Sequence, residues 1–405
     1  MGNSFNPGDI LIYTLMLTCE RGTLNLGNCF VMASVYESIF TPGIVCDINV
    51  LDMDDSLGNL KIVGDETVEF SFAAPGGDVL DYTFHLNSVE NNKDLGIMKA
   101  KVYTLRCVSI EAIHAKANYV SKSYNDLISS IISDIHKTFL KSSKSISTEA
   151  TDGTQKIVVP NKKPYEAIDM IRRRATSSTS KSSSYLYFEN AVGFHFKTME
   201  YLFSQGPVKT FYQSDSVGST LTSLTDANII SFEVIKQADA IDRVNMGALS
   251  QKVSTYDFRT RQYVTKTVTP DQSNGVGGTG GFNSNTFKSL FGATAGLFSF
   301  IPVDSNNRQN THIDQTTPNQ MAYVADMSQI AVKLKVNGDT KVKAGDVIYL
   351  NLPQKVAITT NVPNDPLISG NFLVSRIHRE IGSATDRPRY VDYIECIKGS
   401  LENGV

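Results

Sequence analysis

The stretches VEFSF (68–72) and YTFHL (82–86) decide the fold, because apolar and polar side chains alternate along both of them. Such alternation predicts strands with one buried face and one face in water. VYTLRCVSI (102–110) is likewise β-branched or apolar at every second position, and turn signals such as Pro75-Gly76-Gly77 separate these stretches. Short strands at this spacing predict a small β-barrel or β-sandwich over residues 1–113.

The periodicity changes near residue 121, and we predict an α/β unit over residues 114–203. A first helix is predicted with Ser121 or Ser123 as its N-cap, and Pro164 is predicted to open a second helix. Residues 176–184 are rich in Ser, Thr and Lys, which predicts a mobile loop. The apolar positions at helical spacing are Leu127, Ile128, Ile131, Ile132 and Ile135 in the first helix and Ala167, Ile168 and Ile171 in the second.

Alternating stretches return in the rest of the chain and predict further strands. They are YLYFEN (185–190), FHFKTM (194–199), IISFEVI (229–235), IAVKLKV (330–336), VIYLNL (347–352), FLVSRIHREI (372–381) and YVDYIECI (390–397). The first two predict a hairpin within the α/β unit. The others predict a second β unit built from residues 204–265 and 321–398, followed by a tail at 399–405. The predicted fold class is therefore α+β, mainly β.

Residues 266–320 interrupt the second β unit as a loop-rich excursion. They contain five glycines between 275 and 281, many Asn and Ser residues, and the apolar stretch TFKSLFGATAGLFSFIP (286–302). An apolar segment of this kind, if exposed, marks a contact surface for a partner. We therefore take Phe291 and Phe298 as interface candidates.

Composition and cysteine usage exclude several classes of protein. The chain is 41% hydrophobic and 20% charged, as soluble globular proteins are. It lacks a run of 18 apolar residues and a secretory signal, so we expect a protein that is made and kept in a cytosol, or assembled there into something larger, with no membrane partner. Its 5 cysteines are scattered, with no CxxC pair, which argues against a disulfide framework or a zinc ribbon.

Charge is distributed unevenly along the chain. Residues 1–113 contain 6 Lys+Arg and 15 Asp+Glu, a net charge of −9, whereas residues 114–184 contain 12 and 6, a net charge of +6. Such asymmetry indicates different partners or surfaces for the two segments. The acidic first segment argues against nucleic-acid affinity, because phosphates are repelled.

Motifs for catalysis, metal or cofactors fail in their details. The acidic stretch 52–58 resembles a calcium loop, but Leu57 replaces the glycine and Val63 replaces the closing carboxylate, so a polar turn is favoured. Residues 275–280 match GxGxxG without a strand-to-helix junction, so a flexible loop is favoured. The histidines form no HExxH or HxH pair, and no GxSxG elbow occurs. We expect no catalytic residue, no metal and no cofactor.

Arg172, Arg173 and Arg174 form the one dense basic cluster. Three consecutive helical residues spread around nearly the whole circumference, so at most two of them face one partner. The cluster is either a solvated helix end or a contact for an anionic protein, and Arg172 and Arg173 are the interface candidates.

INVLDMDDSLGNLKIVGDETVEFSF (48–72) resembles the opening of phage tail hub proteins, in which a DSL turn precedes a strand and a Gly-Asp-Glu step begins the next. The helix around 124–137, the helix start at Pro164 and the strand pair at 185–199 resemble that family's α/β insertion. MSQIAVKLKVNGDTKVKAGDVIYLNLP (327–353), with the two strands after it, is similar to the family's second tail-tube-like barrel. The resemblance is to the central hub of T-even-type contractile-tail phages, and more distantly to type VI secretion spike proteins.

The resemblance implies two tail-tube-like β-barrel domains per chain and a homotrimer that forms a pseudo-sixfold ring. Such a ring joins the sixfold tail tube to the threefold central spike and forms part of the DNA conduit. The implied partners are the spike, the tube or tube-initiator protein, the tape measure protein and the baseplate wedge proteins, with DNA passing through unbound. The protein is then a virion component and not an enzyme.

Acidic residues of the first β unit are candidates for the wall or the rim of that conduit, the alternative being that they only keep the protein soluble. They are Asp52, Asp54, Asp55, Asp65, Glu66 and Glu69. Two other functions remain open at this point. One is a tail-tip cell-wall hydrolase or protease, because sequence does not exclude a catalytic carboxylate pair. The other is a sugar-binding receptor module, which the absence of Trp disfavours.

Overall fold

The computed structural model describes residues 6–53, 59–94, 100–180, 182–213, 227–237, 241, 245, 251–268, 297–303, 320, 330–353, 364–365, 368–382 and 388–398. Three of the interface candidates, Asp54, Asp55 and Phe291, lie outside these residues.

The described residues include the following β-strands and α-helices. The strands are β1 (Leu11–Cys19), β2 (Gly22–Asn25), β3 (Phe30–Ser38), β4 (Val45–Asp52), β5 (Thr67–Ala73), β6 (Val79–Asp94), β7 (Lys101–Ser109), β8 (Val120–Leu127), β9 (Ile146–Thr148), β10 (Thr154–Lys162), β11 (Tyr185–Asn190), β12 (Gly193–Thr198), β13 (Lys209–Tyr212), β14 (Ile229–Gln237), β15 (Gln251–Asp257), β16 (Tyr263–Val268), β17 (Leu297–Val303), β18 (Ile330–Asn337), β19 (Val347–Asn351), β20 (Gly370–Gly382) and β21 (Arg389–Lys398). The helices are α1 (Ile110–Ala117), α2 (Ile128–Thr138), α3 (Pro164–Arg172) and α4 (Met199–Phe203).

One 13-stranded sheet contains most of the predicted strands, in the order β14-β18-β21-β20-β3-β4-β7-β6-β5-β1-β2, with β19 paired to β20 and β13 to β19. Its pairs are antiparallel except for β13–β19, which is parallel. The alternation seen in the sequence sets its two faces. In β4, for example, Cys46, Ile48 and Val50 are buried while the residues between them are half-buried. The prediction of an α+β, mainly β fold is confirmed.

β3 and β20 join the strands of the two predicted β units into this single sheet. Their antiparallel register pairs Tyr36 with His378 and Val35 with Arg379. Each side of this pair has its own apolar core: Phe70 and Phe84 lie in the first, and Val332 and Phe372 lie in the second. The predicted boundaries of the units are not tested by this pairing and stay a prediction.

The α/β unit packs α2 and α3 against the small sheet β11-β12-β9. The predicted apolar face of α2 is buried, but the helix begins at Ile128, so the N-cap prediction at Ser121 or Ser123 was wrong. The reason is that residues 120–127 form β8 and satisfy their backbone groups by pairing with β10. The helix start at Pro164 is confirmed.

Residues 176–184 are predicted as a mobile loop, and hydrogen bonds hold the described residues 176–180 and 182–184 of this stretch. The Ser177 hydroxyl donates to Glu149 Oε1 at 2.6 Å, and the Ser184 hydroxyl donates to Glu200 Oε2. Ser177, Ser182 and Ser184 are buried. These bonds argue against the predicted mobility, which composition suggested because it does not reveal that two distant carboxylates accept from these serines.

Part of the predicted excursion is ordered as β17, which pairs in parallel with β15. β15 also pairs with β16, so the three strands form a sheet of their own, separate from the large one. Phe298 and Phe300 both lie on β17 and are exposed.

Candidate functional site

The large sheet has one face buried in the cores and one face open across the β3–β20 pair. On the open face three rings stack from neighbouring strands: Tyr36 lies 4.4 Å from His378, and His378 lies 5.4 Å from Tyr393, between ring centroids. Register continues this face from Tyr36 through Val45 to β7 and β6. A single surface therefore spans both halves of the sheet.

Charges of both signs surround the ring stack. Arg376 pairs with Glu395 at 3.1 Å, and Lys335 lies 5.3 Å from the centre of the Tyr393 ring. Farther along the same face, Arg106 lies 3.8 Å from both Asp47 and Glu90. The open face is thus mixed in charge rather than uniformly acidic.

The acidic candidates that are described fall into two groups. Asp52 and Glu66 are buried, and their carboxylates are used within the chain: the Tyr103 hydroxyl donates to Asp52 at 3.4 Å, and the backbone amides of residues 63 and 64 donate to Glu66. Burial removes both from any surface that could line a conduit. Asp65 and Glu69 are exposed, and their predicted place at a lumen stays a prediction.

Arg172 and Arg173 are at the end of α3, and both bind Asp169. Arg172 Nη2 and Arg173 Nη2 each lie 2.6 Å from an Asp169 oxygen, and Arg172 Nη1 also donates to the Tyr185 carbonyl. These arginines line one side of a cleft of about 890 Å³, which we name the basic cleft. Its other lining residues are Ile39, Phe40, Pro42, Lys162, Tyr165, Glu166, Ile168, Asp169, Met170, Arg174, Leu186 and Tyr187.

A fully buried arginine lies where the two β units meet. Arg379 is 3.6 Å from Glu37 of β3 and 3.6 Å from Asp392 of β21, and it donates to the Tyr390 hydroxyl at 2.7 Å. The Tyr82 hydroxyl donates to Glu37 at 2.7 Å, which ties β6 to the same group. We call this set the Arg379 junction.

Lys144 connects the α/β unit to the first β unit, as Arg379 connects the two β units. Lys144 lies 2.5 Å from Glu189 and 3.1 Å from Glu111, and both carboxylates are buried. The other oxygen of Glu189 accepts from the backbone amide of Ile44 at 3.1 Å and from the Ser109 hydroxyl at 2.6 Å. We call this set the Lys144 junction.

A third contact connects the α/β unit to the second β unit. The Asn190 amide donates to the Ala344 carbonyl at 3.0 Å, and Phe188 packs beside Gly345. A Cβ atom at Gly345 would lie 2.8 Å from the Phe188 ring, and its φ of +93° is one that favours glycine. All three units are therefore fixed to one another by buried groups.

Some carboxyl groups have the raised pKa that a general acid needs, but their positions do not suit catalysis. Burial raises the pKa of Glu189 and Glu200, and it raises the pKa of Asp392 to about 6 although Arg379 opposes that change. Each is less than 4% exposed and hydrogen-bonded to its own chain, so a substrate does not reach them.

Two further observations concern metal ions and membranes. Within the described ranges, no group of three or more His, Cys, Asp or Glu side chains is placed to hold a metal ion. No α-helix in the described part of the chain is long and apolar enough to cross a bilayer.

The fold is that of phage tail proteins. The chain superposes on the tail protein from Neisseria meningitidis MC58 with a TM-score of 0.59 and 10% identity, covering 96% of this chain and 97% of that one. A 43 kDa tail protein of prophage MuSo2 from Shewanella oneidensis gives 0.58 and 10%, covering 95% and 98%. A chain of the Francisella PdpA-VgrG complex gives 0.50 and 11%, covering 98% and 54%. The suspected likeness to phage tail proteins is confirmed at the level of fold.

No protein-family model matches the sequence. No curated protein matches it either.

Proposed function

We propose that this chain is a structural virion protein and that three copies of it form the central hub of a contractile-tail baseplate. The observation that carries the proposal is the β3–β20 pair, which gives two β units of one chain a single unbroken face. Two such units in each of three copies make six positions around an axis. A ring of that kind matches a sixfold tail tube on one side and a threefold spike on the other.

The domains take the following roles in this proposal. Residues 1–113 form the first tube-like barrel, and residues 204–265 with 321–398 form the second. Residues 114–203 are an outer α/β domain. The partners are the central spike protein, the tube or tube-initiator protein, the tape measure protein and the wedge proteins, and residues 266–320 with Phe291 and Phe298 contact one of them. Asp54 and Asp55 are proposed at the rim of the ring.

The open face of the sheet is proposed as the wall of a DNA conduit. Glu69 lies on it, because the register connects Thr67 through His85 and Val108 to the row of Tyr36. The ion pairs of Arg106 and Arg376 neutralise charge along this face. Paired charges hold phosphates weakly, so DNA passes without specific binding.

Native mass spectrometry of the purified 44.4 kDa chain tests the stoichiometry. We expect a trimer at micromolar concentration, and a monomer both alone and with the spike protein would contradict the proposal. Peptidoglycan and casein zymograms test the enzymatic alternative. We expect no cleared zone, whereas hydrolysis that is abolished by one Asp, Glu or His to Ala change would establish a tail-tip hydrolase or protease instead.

A further inference from the structure

We propose that the basic cleft of one copy binds the turn at residues 62–66 of a second copy, with Val63 against the apolar residues of the cleft and Asp65 against the arginines. Asp65 then lies between two copies and not in the lumen predicted for it. The inference rests on the proposed function, because it needs more than one copy of the chain.

The turn is built to present an apolar tip beside an acid. Glu66 accepts from the Val63 amide at 2.7 Å and from the Gly64 amide at 2.8 Å, and Gly64 has a φ of +101°. These bonds hold the backbone in one shape, so little order is lost when the turn binds. Val63 is 80% exposed and Asp65 is exposed beside it.

The basic cleft has matching apolar surface at its opening. Phe40, which is 43% exposed, and the half-buried Met170 supply it. The cleft volume of about 890 Å³ is in the range of ligand sites, ~300–1,000 Å³.

The charges of the cleft and of the turn are opposite, which is why we assign the cleft to a second copy of this chain. The cleft is lined by four cations, Lys162 and Arg172 to Arg174, against the two carboxylates of Glu166 and Asp169. Arg173 remains 64% exposed while it pairs with Asp169. The turn belongs to the segment of net charge −9 and the cleft mainly to the segment of net charge +6. Opposite charges of this size favour the encounter of the two surfaces.

The contact is head-to-tail, because the turn and the cleft are different surfaces of the same chain. Contacts of this type close into a ring when the rotation between copies allows it. Three of them would link the first β unit of each copy to the α/β unit of the next, in addition to any contact between β units.

Charge reversal tests this contact, measured as the self-association constant by sedimentation velocity over a concentration series. Asp65→Arg and Arg173→Asp are each expected to weaken association at least tenfold, and the double variant in one chain is expected to return to within threefold of wild type. Val63→Asp should also weaken it at least tenfold. Glu20→Arg, an exposed acid at another turn of the same unit, is the matched control and should change nothing. Thermal unfolding of each variant verifies that it folds.

The outcomes separate the two proposals. If the wild type stays a monomer at all concentrations, both alone and with the spike protein, the hub proposal fails and this contact fails with it. If the wild type is a trimer and the reversals leave its association unchanged, only this contact is overturned. If they leave the trimer intact but block tail assembly, the cleft serves another protein, which also overturns the second-copy assignment.

Discussion

The Arg379 junction and the Lys144 junction each place one cation between two buried carboxylates, yet they differ in access to water. The Arg379 side chain is 0% exposed, whereas the Lys144 side chain is 29% exposed. Arg379 also donates to two backbone carbonyls, those of Asp339 at 3.2 Å and Val342 at 2.6 Å. The guanidinium therefore serves both β units through several donors at once, which a lysine ammonium does not match.

The difference indicates that the two β units are joined more rigidly than the α/β unit is joined to them. At the Lys144 junction, water reaches the cation and screens part of its attraction to Glu111 and Glu189. A hub that holds its ring shape while an outer unit adjusts to partners would need this ranking. The following three predictions measure it, beginning with the largest effect.

Replacing Arg379 with Met should destabilise the protein by about 3–5 kcal/mol, because Glu37 and Asp392 would remain buried without a cation. Urea unfolding at pH 7 measures the loss. Arg376→Met is the matched control on the same strand, since its pair with Glu395 is largely exposed and should contribute about 0–1 kcal/mol. Equal losses of unfolding free energy in the two variants would show that the Arg379 junction does not hold the two β units together.

Replacing Lys144 with Met should cost less, about 2 kcal/mol at pH 7, because water replaces part of the lost pairing. Burial already raises the pKa of Glu189, and removing the lysine should raise it further. A carboxyl whose pKa is higher folded than unfolded adds stability at low pH and loses it as pH rises through the folded value.

The cost of Lys144→Met should therefore be smaller at pH 5 than at pH 8 in the same unfolding assay. Lys122→Met, which removes an exposed pair with Asp134, is the control and should lose at most about 1 kcal/mol at either pH. A loss at Lys144 that equals the loss at Arg379 would contradict the ranking of the junctions.

His195 tests the third contact, which connects the α/β unit to the second β unit. Its Nε2 lies 2.9 Å from Asn190 Oδ1. Burial lowers the pKa of His195 to about 4, and nearby Lys197 acts in the same direction. A histidine with a lowered folded pKa keeps its full contribution above its unfolded pKa of 6.5 and loses it as pH falls toward 4.

Wild-type stability should thus fall by about 1–2 kcal/mol more than that of His195→Gln between pH 7 and pH 4.5. Paired thermal unfolding series of the two proteins measure the difference. Parallel pH profiles would show that His195 does not contribute through its neutral form.

The local sequence pattern predicted most of the strands and helices. The alternation of a strand and the apolar spacing of a helix both lie within a few neighbouring residues. The apolar spacing of α2 and the alternation of β4 both appear directly in the sequence. The start of α2 was missed because β8 is defined by its partner β10, about 35 residues farther along the chain. The pairing of β3 with β20 was not predicted for the same reason, because the two strands are distant in the sequence.

The buried charges were missed although the sequence contains a signal for them. Arg379 lies in phase with Ile377 and Ile381, and Asp392 lies in phase with Tyr390 and Ile394. A charged residue at an apolar position of an alternating strand indicates a buried partner of opposite charge. Net charge by segment favours Asp52 and Glu66 as surface groups, but both are buried.

The β3–β20 pair also determines the order in which the chain is able to fold. Glu37, at the end of β3, accepts from the Ala344 amide, 307 positions later in the sequence. Until the ribosome has released the later residues, β4 pairs with one edge of β3 but the edge that pairs with β20 stays open. Contacts of such long range make folding slow and leave edges open to wrong partners. The nascent chain is therefore most prone to aggregate before β20 emerges, and a chaperone would be most useful during that interval.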